Sequence, residues 1–477
     1  MLLRRFYDPK LAQSSYMIAC GRSGEAIVID PNRDADQYVR AAKSDDVRIA
    51  AVTETHIHAD FLSGSRELAA RTGARLYLSG EGGAEWRYEF AGDDGAVLLH
   101  DGDLIDIGDV RISALHTPGH TPEHLTFLVT DRASADEPMG AITGDFLFVG
   151  DVGRPDLLER AAKVEGSVRA SARDLFASLK RFAALPDWLQ IWPGHGAGSA
   201  CGKGISAVPH SSLGYEKRFN WAFSVPNEDA FVRQVLEGQP EPPSYFAEMK
   251  RVNKRGPRVL GALERPVRLD AARVTDVISS GVTLIDTRAA PAFAARHLPG
   301  TLNIPLNKSF TTWAGAILSY DRALYLLIDD DVAERVEEVV RDLAMIGLDR
   351  IAGYIGLDAL AAWEQAGHSL GTIAQVDPKV LAPMVSRGDV RVIDVRGANE
   401  WDAGHLPGVP NIPLATLRAR LSEIPSGRPI VVHCQAGSRA AIAASVLRAA
   451  GIERVINLTG GFAAWREAGL PIEKASS

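Results

Sequence analysis

Cysteine is almost missing from this chain: 477 residues contain three, at positions 20, 201 and 434. So few thiols in so long a chain offer no disulfide framework and suggest a reducing compartment, hence a cytoplasmic location. Long apolar runs are missing as well. No stretch approaches the roughly 18 residues needed to span a membrane. The first twenty residues hold two arginines but no sustained apolar segment, and are expected to form two strands rather than a signal peptide. An excess of positive charge is missing too. A net charge of −8 and a pI near 5.9, with no basic stripe, argue against nucleic acid. With 46% hydrophobic and 23% charged residues the composition is ordinary for a globular protein. At about 150 residues per domain, the length predicts about three domains.

The most informative residue is Cys434, in the segment HCQAGSR. It stands between a β-branched run, Ile430-Val431-Val432, and a helix-like stretch from Ser438 to Ala450. A thiol at the start of a strand-to-helix loop faces loop amides and a positive helix end, which hold a thiolate or a persulfide anion. Arg439 adds a fixed positive charge. A buried inert cysteine is the alternative, and the Gln-Ala-Gly-Ser-Arg that follows argues against it. With Val392–Arg396 (VIDVR), Gly404–Gly408 (GHLPG) and Gly460-Gly461-Phe462 before Trp465, the C-terminal hundred residues resemble a rhodanese domain, a sulfurtransferase fold. The resemblance implies that Cys434 carries the sulfane sulfur, with Arg439 beside it. It also implies structural rather than catalytic roles for Asp394, Arg396 and His405. The related phosphatases have a longer loop.

The pattern occurs once before. Residues 285–305 align without gaps onto 393–413 with 12 identities in 21 positions, the mark of a duplicated unit. Carried forward with a four-residue shift from this register, Arg335 falls opposite Arg439, and Asp330 opposite Cys434. The middle copy therefore has no thiol and cannot carry a covalent persulfide. It is expected to set domain geometry or to dock a partner, in preference to keeping a ligand pocket.

Most of the histidine lies near the N-terminus. Four sets each close an apolar, strand-like run: Thr55–Phe61 (THIHADF), Leu115–Thr121 (LHTPGHT), Ile142–Asp145 (ITGD) and Trp192–His195 (WPGH). Loops at strand ends of a layered α/β fold gather into one site, and two histidines flanking one residue, with a later His and Asp, can converge on a metal. In this order the sets resemble the metallo-β-lactamase fold over roughly residues 1–225. Members that hydrolyse thioesters, such as glyoxalase II, hold two metals and have a His where this chain has Phe61. A phenyl ring cannot ligate a metal, so one metal is favoured.

A single-metal branch, the persulfide dioxygenases, is similar throughout. That resemblance implies one Fe(II) per chain on His56, His120 and Asp145, with positions open for O2 and a second ligand. It makes His58, Asp60 and His195 groups that orient ligands or hold water. Arg154, in Gly150–Asp156 (GDVGRPD), becomes an anchor for a substrate carboxylate or for its own loop. Cys201, in a Gly-rich segment six residues past His195, is either a thiol near the metal or an incidental small residue. Cys20 is expected in the core. The clusters Lys250-Arg251 and Lys254-Arg255 are expected to be a solvated helix end.

The expected architecture is α/β. An N-terminal αββα metallo-β-lactamase-like sandwich (1–225) leads through a Pro-rich linker (226–266) to two three-layer α/β/α rhodanese-like domains, one without a thiol (267–372) and one catalytic (373–477). The expected activity is Fe(II)-dependent oxidation of a persulfide of glutathione, coenzyme A or a similar thiol by O2 to sulfite. It is joined to a Cys434 sulfurtransferase linking persulfide plus sulfite with thiosulfate plus thiol. The alternatives are a zinc-dependent glyoxalase II-like hydrolase and a sulfur-binding scaffold. No membrane or nucleic-acid partner is expected, and the chain is compatible with a homo-oligomer.

Overall fold

The computed structural model describes residues 1–157, 167–329 and 333–474, which form two units. Alternation along the strands builds the first. In β2 (Gln13–Cys20), Tyr16, Ile18 and Cys20 point to one core while Met17 and Ala19 point to another. One sheet runs in the order β1 (Leu2–Asp8), β2, β3 (Glu25–Ile29), β4 (Arg48–Thr53), β5 (Arg75–Ser79) and β6 (Val97–Leu99). The other contains β7 (Leu104–Ile107), β8 (Val110–His116), β9 (Leu125–Asp131), β10 (Gly140–Gly144), β11 (Gln190–Pro193) and β12 (Ser211–Ser212). Its order is β12-β11-β10-β9-β8-β7.

Ile18, Ile27, Ile112, Phe127 and Ile142 fill the space between the sheets. Helices Ala35–Ser44 and Ser65–Thr72 cover the outer face of the first sheet, burying Tyr38, Ala41 and Leu68. Helix Val168–Phe182 covers the second through Leu175, Leu179 and Phe182. The result is the expected αββα sandwich.

Residues 226–266, which the sequence leaves as a linker, carry two helices. Glu228–Leu236 buries Phe231, Val232 and Val235 in the core of the first unit. Phe246–Arg255 buries Met249 and Asn253. The prolines at 240, 242 and 243 fall between these helices, not through them. Lys250 departs from the expected solvated helix end, because its ammonium lies 3.5 Å from the centroid of the Trp86 ring. Burial lowers its pKa to about 8, with Glu123 opposing the shift.

The second unit holds two parallel four-stranded sheets. One runs in the order β14 (Leu302–Asn303), β13 (Thr283–Asp286), β15 (Leu324–Leu327), β16 (Ile351–Ile355). The other runs β17 (Ala374–Val376), β20 (Val455–Leu458), β19 (Ile430–His433), β18 (Arg391–Asp394). The duplication extends to single hydrogen bonds. Arg396 pairs with Asp394 and donates to the Gly404 carbonyl at 2.7 Å, as Arg288 pairs with Asp286 and donates to Arg296 at 2.9 Å. Asn411 donates to the carbonyls of Asp394 and Arg396, and Asn303 does so to Asp286 and Arg288. His405 stacks on Trp401 with ring centroids 3.6 Å apart, and His297 on Phe293 at 4.0 Å.

Arg335 lies exposed in the first turn of helix Ala333–Met345, and Asp330 lies outside the described residues. No helix among the described residues is long and apolar enough to cross a membrane.

Phe127 is fully buried between the sheets. Phe127→Ala is expected to destabilise the first unit by about 3–5 kcal/mol and to leave the unfolding transition of the second unit in place. Calorimetry of the full chain reads both, and a loss under about 1 kcal/mol would contradict the sandwich core.

Candidate functional site

Each histidine set leaves the end of a strand. His56, His58 and Asp60 follow β4, His120 follows β8, Asp145 follows β10 and His195 follows β11. Because β10 and β11 are parallel, Asp145 and His195 emerge at the same edge. A side chain at Gly194 could not fit there, since its Cβ would lie 2.8 Å from the Asp145 carboxylate.

The ring nitrogens are oriented by bonds to protein oxygens. His120 Nδ1–H donates to the Arg154 carbonyl at 3.0 Å, and His195 Nδ1–H to the Ala12 carbonyl at 3.0 Å. The Thr55 hydroxyl donates to Asp30 at 2.9 Å and so accepts from His56 Nδ1–H, also at 2.9 Å. A ring that donates through Nδ1 presents an Nε2 lone pair, the state in which imidazole binds a metal. Burial, joined by the neighbouring histidines, holds the His56 pKa well below its usual value, and burial lowers that of His120.

These lone pairs converge on Asp145. Its Oδ2 lies 3.5 Å from His120 Nε2 and 4.0 Å from His56 Nε2. Both of its carboxylate oxygens are buried without a hydrogen-bond donor, as are Asp60 Oδ2 and His58 Nδ1. Burial opposes the charge on Asp145, but His195, His120 and His58 outweigh it and hold the carboxyl below its usual range. An ionised carboxylate left without donors among bare imidazole nitrogens is a donor set that fits a divalent cation.

His58 is turned the other way. Its Nε2 meets Asp30 at 3.1 Å and its Nδ1 is unpartnered. Burial works against its charge, yet Asp30, Glu54 and Asp60 raise its pKa to about 9. The Phe61 ring packs beside it, with centroids 4.4 Å apart.

Asp60 and His195 pair at 3.2 Å, and His195 Nε2 also lies 3.4 Å from Asp145 Oδ1. Cys201, expected either near the metal or incidental, joins them in a second buried group whose donor atoms lie within 4.8 Å of one another. Burial, with Asp145 and Asp60, drives the Cys201 pKa well above that of a free thiol. Arg154 is fully buried, and its guanidinium is held by Asp156 at 2.7 Å and by the Ala200 carbonyl at 3.1 Å. These bonds tie it to its own loop.

Sequence reasoning missed Asp30, Thr55 and His124. His124 Nε2 accepts the Asp145 N–H at 3.2 Å and its Nδ1 meets Thr117 Oγ1 at 2.9 Å, which fixes where the Asp145 backbone sits. A fourth histidine four residues beyond His120 was the available signal. It missed Asn253 too, whose amide donates to the carbonyls of His58 and Phe61 at 2.8 Å and whose Oδ1 accepts the Ser63 N–H.

In the second unit, Cys434 follows β19, and helix Ser438–Ala449 begins four residues later. The Gly437 N–H donates to Cys434 Sγ at 3.1 Å. From the other side, helix Gly461–Glu467 grips the loop, with Phe462 N–H on the Cys434 carbonyl at 2.7 Å and Ala463 N–H on Gln435 at 2.9 Å. Gly461 permits that grip, since its φ is +59° and a Cβ there would lie 2.3 Å from the Cys434 carbonyl oxygen. Arg439 is paired with Glu400 at 2.5 and 2.8 Å. Arg396, packed on the Phe462 ring, reaches Gln435 of the loop at 3.3 Å.

Residues 8–195 match the model of the metallo-beta-lactamase superfamily. The crystal structure of a metallo-beta-lactamase from Staphylococcus aureus is 40% identical, covering 75% of this chain and 99% of that one, with a TM-score of 0.66. The chain belongs to the metallo-beta-lactamase superfamily. Residues 377–468 match the rhodanese-like domain, so a rhodanese-like domain forms the C-terminal part of the chain. Among curated relatives, bovine persulfide dioxygenase ETHE1 is 29% identical over 200 residues, 41% of this chain and 68% of that protein. A hydroxyacylglutathione hydrolase of Polaromonas is 33% identical over 183 residues, 38% of this chain and 61% of that protein.

Gly461→Ala should force helix Gly461–Glu467 off the Cys434 carbonyl and cost about 1–3 kcal/mol. Cys434 is 1% exposed, so the expected readout is faster alkylation of its thiol, followed by mass spectrometry. An unchanged rate and stability would show that the grip is not needed.

Proposed function

We propose that this chain oxidises a low-molecular-weight thiol persulfide with O2 to sulfite at His56, His120 and Asp145, and that Cys434 exchanges sulfane sulfur between persulfide and thiosulfate. The carrying observation is the buried group of two histidines and one carboxylate, with both Asp145 oxygens free of N–H and O–H donors. A ferrous ion held there, one per chain, would supply open positions for O2 and a sulfur ligand.

The protein does the rest. Thr55, Arg154 and Ala12 fix the imidazole tautomers, and Asp30 orients His58. The Asp60–His195 pair would hold a water or a proton beside the reacting sulfur, and Phe61 fills space without offering a donor. Overall, RSSH, O2 and water give RSH and sulfurous acid, which ionises to sulfite.

At the second site the Cys434 thiolate takes the outer sulfur of a second RSSH and releases RSH. Sulfite then attacks that sulfur, giving thiosulfate and restoring the thiolate. The loop amide of Gly437 and the N-terminus of helix Ser438–Ala449 favour the anionic forms. We assign residues 1–225 to the dioxygenase, 267–372 to a rhodanese-like copy without a thiol and 373–477 to the sulfurtransferase, in a cytoplasmic enzyme.

A second function is favoured by one observation. Asp60, His195 and Cys201 form a second donor group, which suits a two-metal zinc centre and thioester hydrolysis.

O2 uptake by protein loaded anaerobically with Fe(II) separates the two. Uptake on adding glutathione persulfide or coenzyme A persulfide, with one iron per chain, is expected. Its absence from an iron-replete sample, with thioester cleavage by the zinc form, would favour the hydrolase. Asp145→Ala should lose iron and O2 uptake, yet still transfer sulfur from thiosulfate to cyanide. Cys434→Ser should keep forming sulfite while thiosulfate falls, and unchanged thiosulfate would remove Cys434 from the scheme.

A further inference from the structure

The second unit contains a cavity of about 550 Å³ beside the Cys434 loop, a size typical of small-molecule sites. Both copies line it. The C-terminal copy contributes Ala436, Gly437, Ser438 and Ala441 from the loop and the helix after it, with Gln375, Asn457 and Thr459. The middle copy contributes Ala290, Pro291, Ala294 and Ala295, all from helix Ala290–Ala295. Gly437 belongs to this wall, and its N–H touches Cys434 Sγ, so the cavity begins one residue from the thiol.

Two properties of the lining define what it takes. No charged side chain is among the lining residues. The nearby cation of the loop, Arg439, is already neutralised by Glu400. Entering such a wall, a tripeptide thiol with two carboxylates and an ammonium would find no charged side chain to pair with. Second, the polar lining is made of neutral hydrogen-bonding side chains, Gln375, Ser438, Asn457 and Thr459, and the Asn457 amide N–H donates to Gln375 at 2.8 Å. Neutral amide and hydroxyl groups around an uncharged cavity match the amides of a neutral ligand.

We propose that this cavity binds the arm of the thiol that gives sulfur to or takes it from Cys434, and that it selects a neutral, amide-bearing arm of pantetheine type over a charged peptide. The proposal rests on the sulfur-transfer function of Cys434. It gives the thiol-free middle copy a role that the sequence ranked last, one wall of a ligand site. The step is a sulfane transfer. The carrier thiolate attacks the outer sulfur of the Cys434 persulfide, the Cys434 S–S bond breaks, a new S–S bond forms on the carrier, and Cys434 leaves as thiolate.

The full chain is tested with thiosulfate as donor and cyanide, pantetheine, coenzyme A or glutathione as acceptor. Pantetheine and coenzyme A should both show KM values at least about tenfold below that of glutathione. If coenzyme A alone does so, its phosphates and not its arm are recognised, and the proposal fails. Ala294→Glu, on the half-buried helix face of the middle copy, and Asn457→Ala should each raise the KM for pantetheine well beyond any change for cyanide. Equal KM values for glutathione and pantetheine, or two variants without effect on pantetheine, would overturn the proposal. Absence of cyanide turnover in the unaltered chain would instead overturn the sulfur-transfer function. Calorimetric binding of S-methyl pantetheine, weakened or not by Ala294→Glu, then decides the cavity alone.

Discussion

A buried carboxylate that meets no N–H or O–H donor is costly for a fold to hold, and the first unit is arranged around one. Asp145 sits where β10 ends, with its backbone N–H fixed by His124 and its oxygens facing His120, His56 and His195. Everything near it is tied down from behind. Backbone carbonyls at Ala12 and Arg154 and the Thr55 hydroxyl take the outward ring protons, so the inward nitrogens are left bare. The polypeptide thus presents a buried donor set of two histidines and one carboxylate that fits a divalent cation.

The second unit solves a different problem, holding a buried thiol in a loop between a strand and a helix. Its loop is clamped on both sides, by the Gly437 amide at the sulfur and by the Phe462 and Ala463 amides at the carbonyls. Behind the clamp stands the Asp394–Arg396 pair, bonded to Gly404 and touching Gln435. The middle copy has the same pair, the same asparagine bridge and the same stacked histidine. Those features therefore serve the fold and not the chemistry.

Strand ends were the legible part of the sequence. The four histidine sets each close an apolar run, and each run is a strand whose end reaches the cluster. The rhodanese loop was equally plain, because its strand, thiol and helix are adjacent in the chain. What the residues hid was support from afar. Ala12 acts through a carbonyl, and any residue type carries one. Asp30 and Asn253 reach the cluster across 28 and 192–195 positions, a distance that periodicity does not read. Lys250 looked solvated because its neighbours in sequence are charged, whereas its neighbour in space is Trp86. Residues 226–266 looked like a linker because prolines crowd one spot, although amphipathic helices flank it on both sides.

The clamp at Gly461 has an evolutionary side. None of the bonds that close the rhodanese-like scaffold at Asp394, Arg396 and Asn411 involves the thiol. After a duplication, one copy could lose its sulfur chemistry without losing its shape. Drift would then be free at the loop and restrained at the scaffold, which is the pattern the middle copy displays. A copy released from catalysis in this way becomes raw material for recognition.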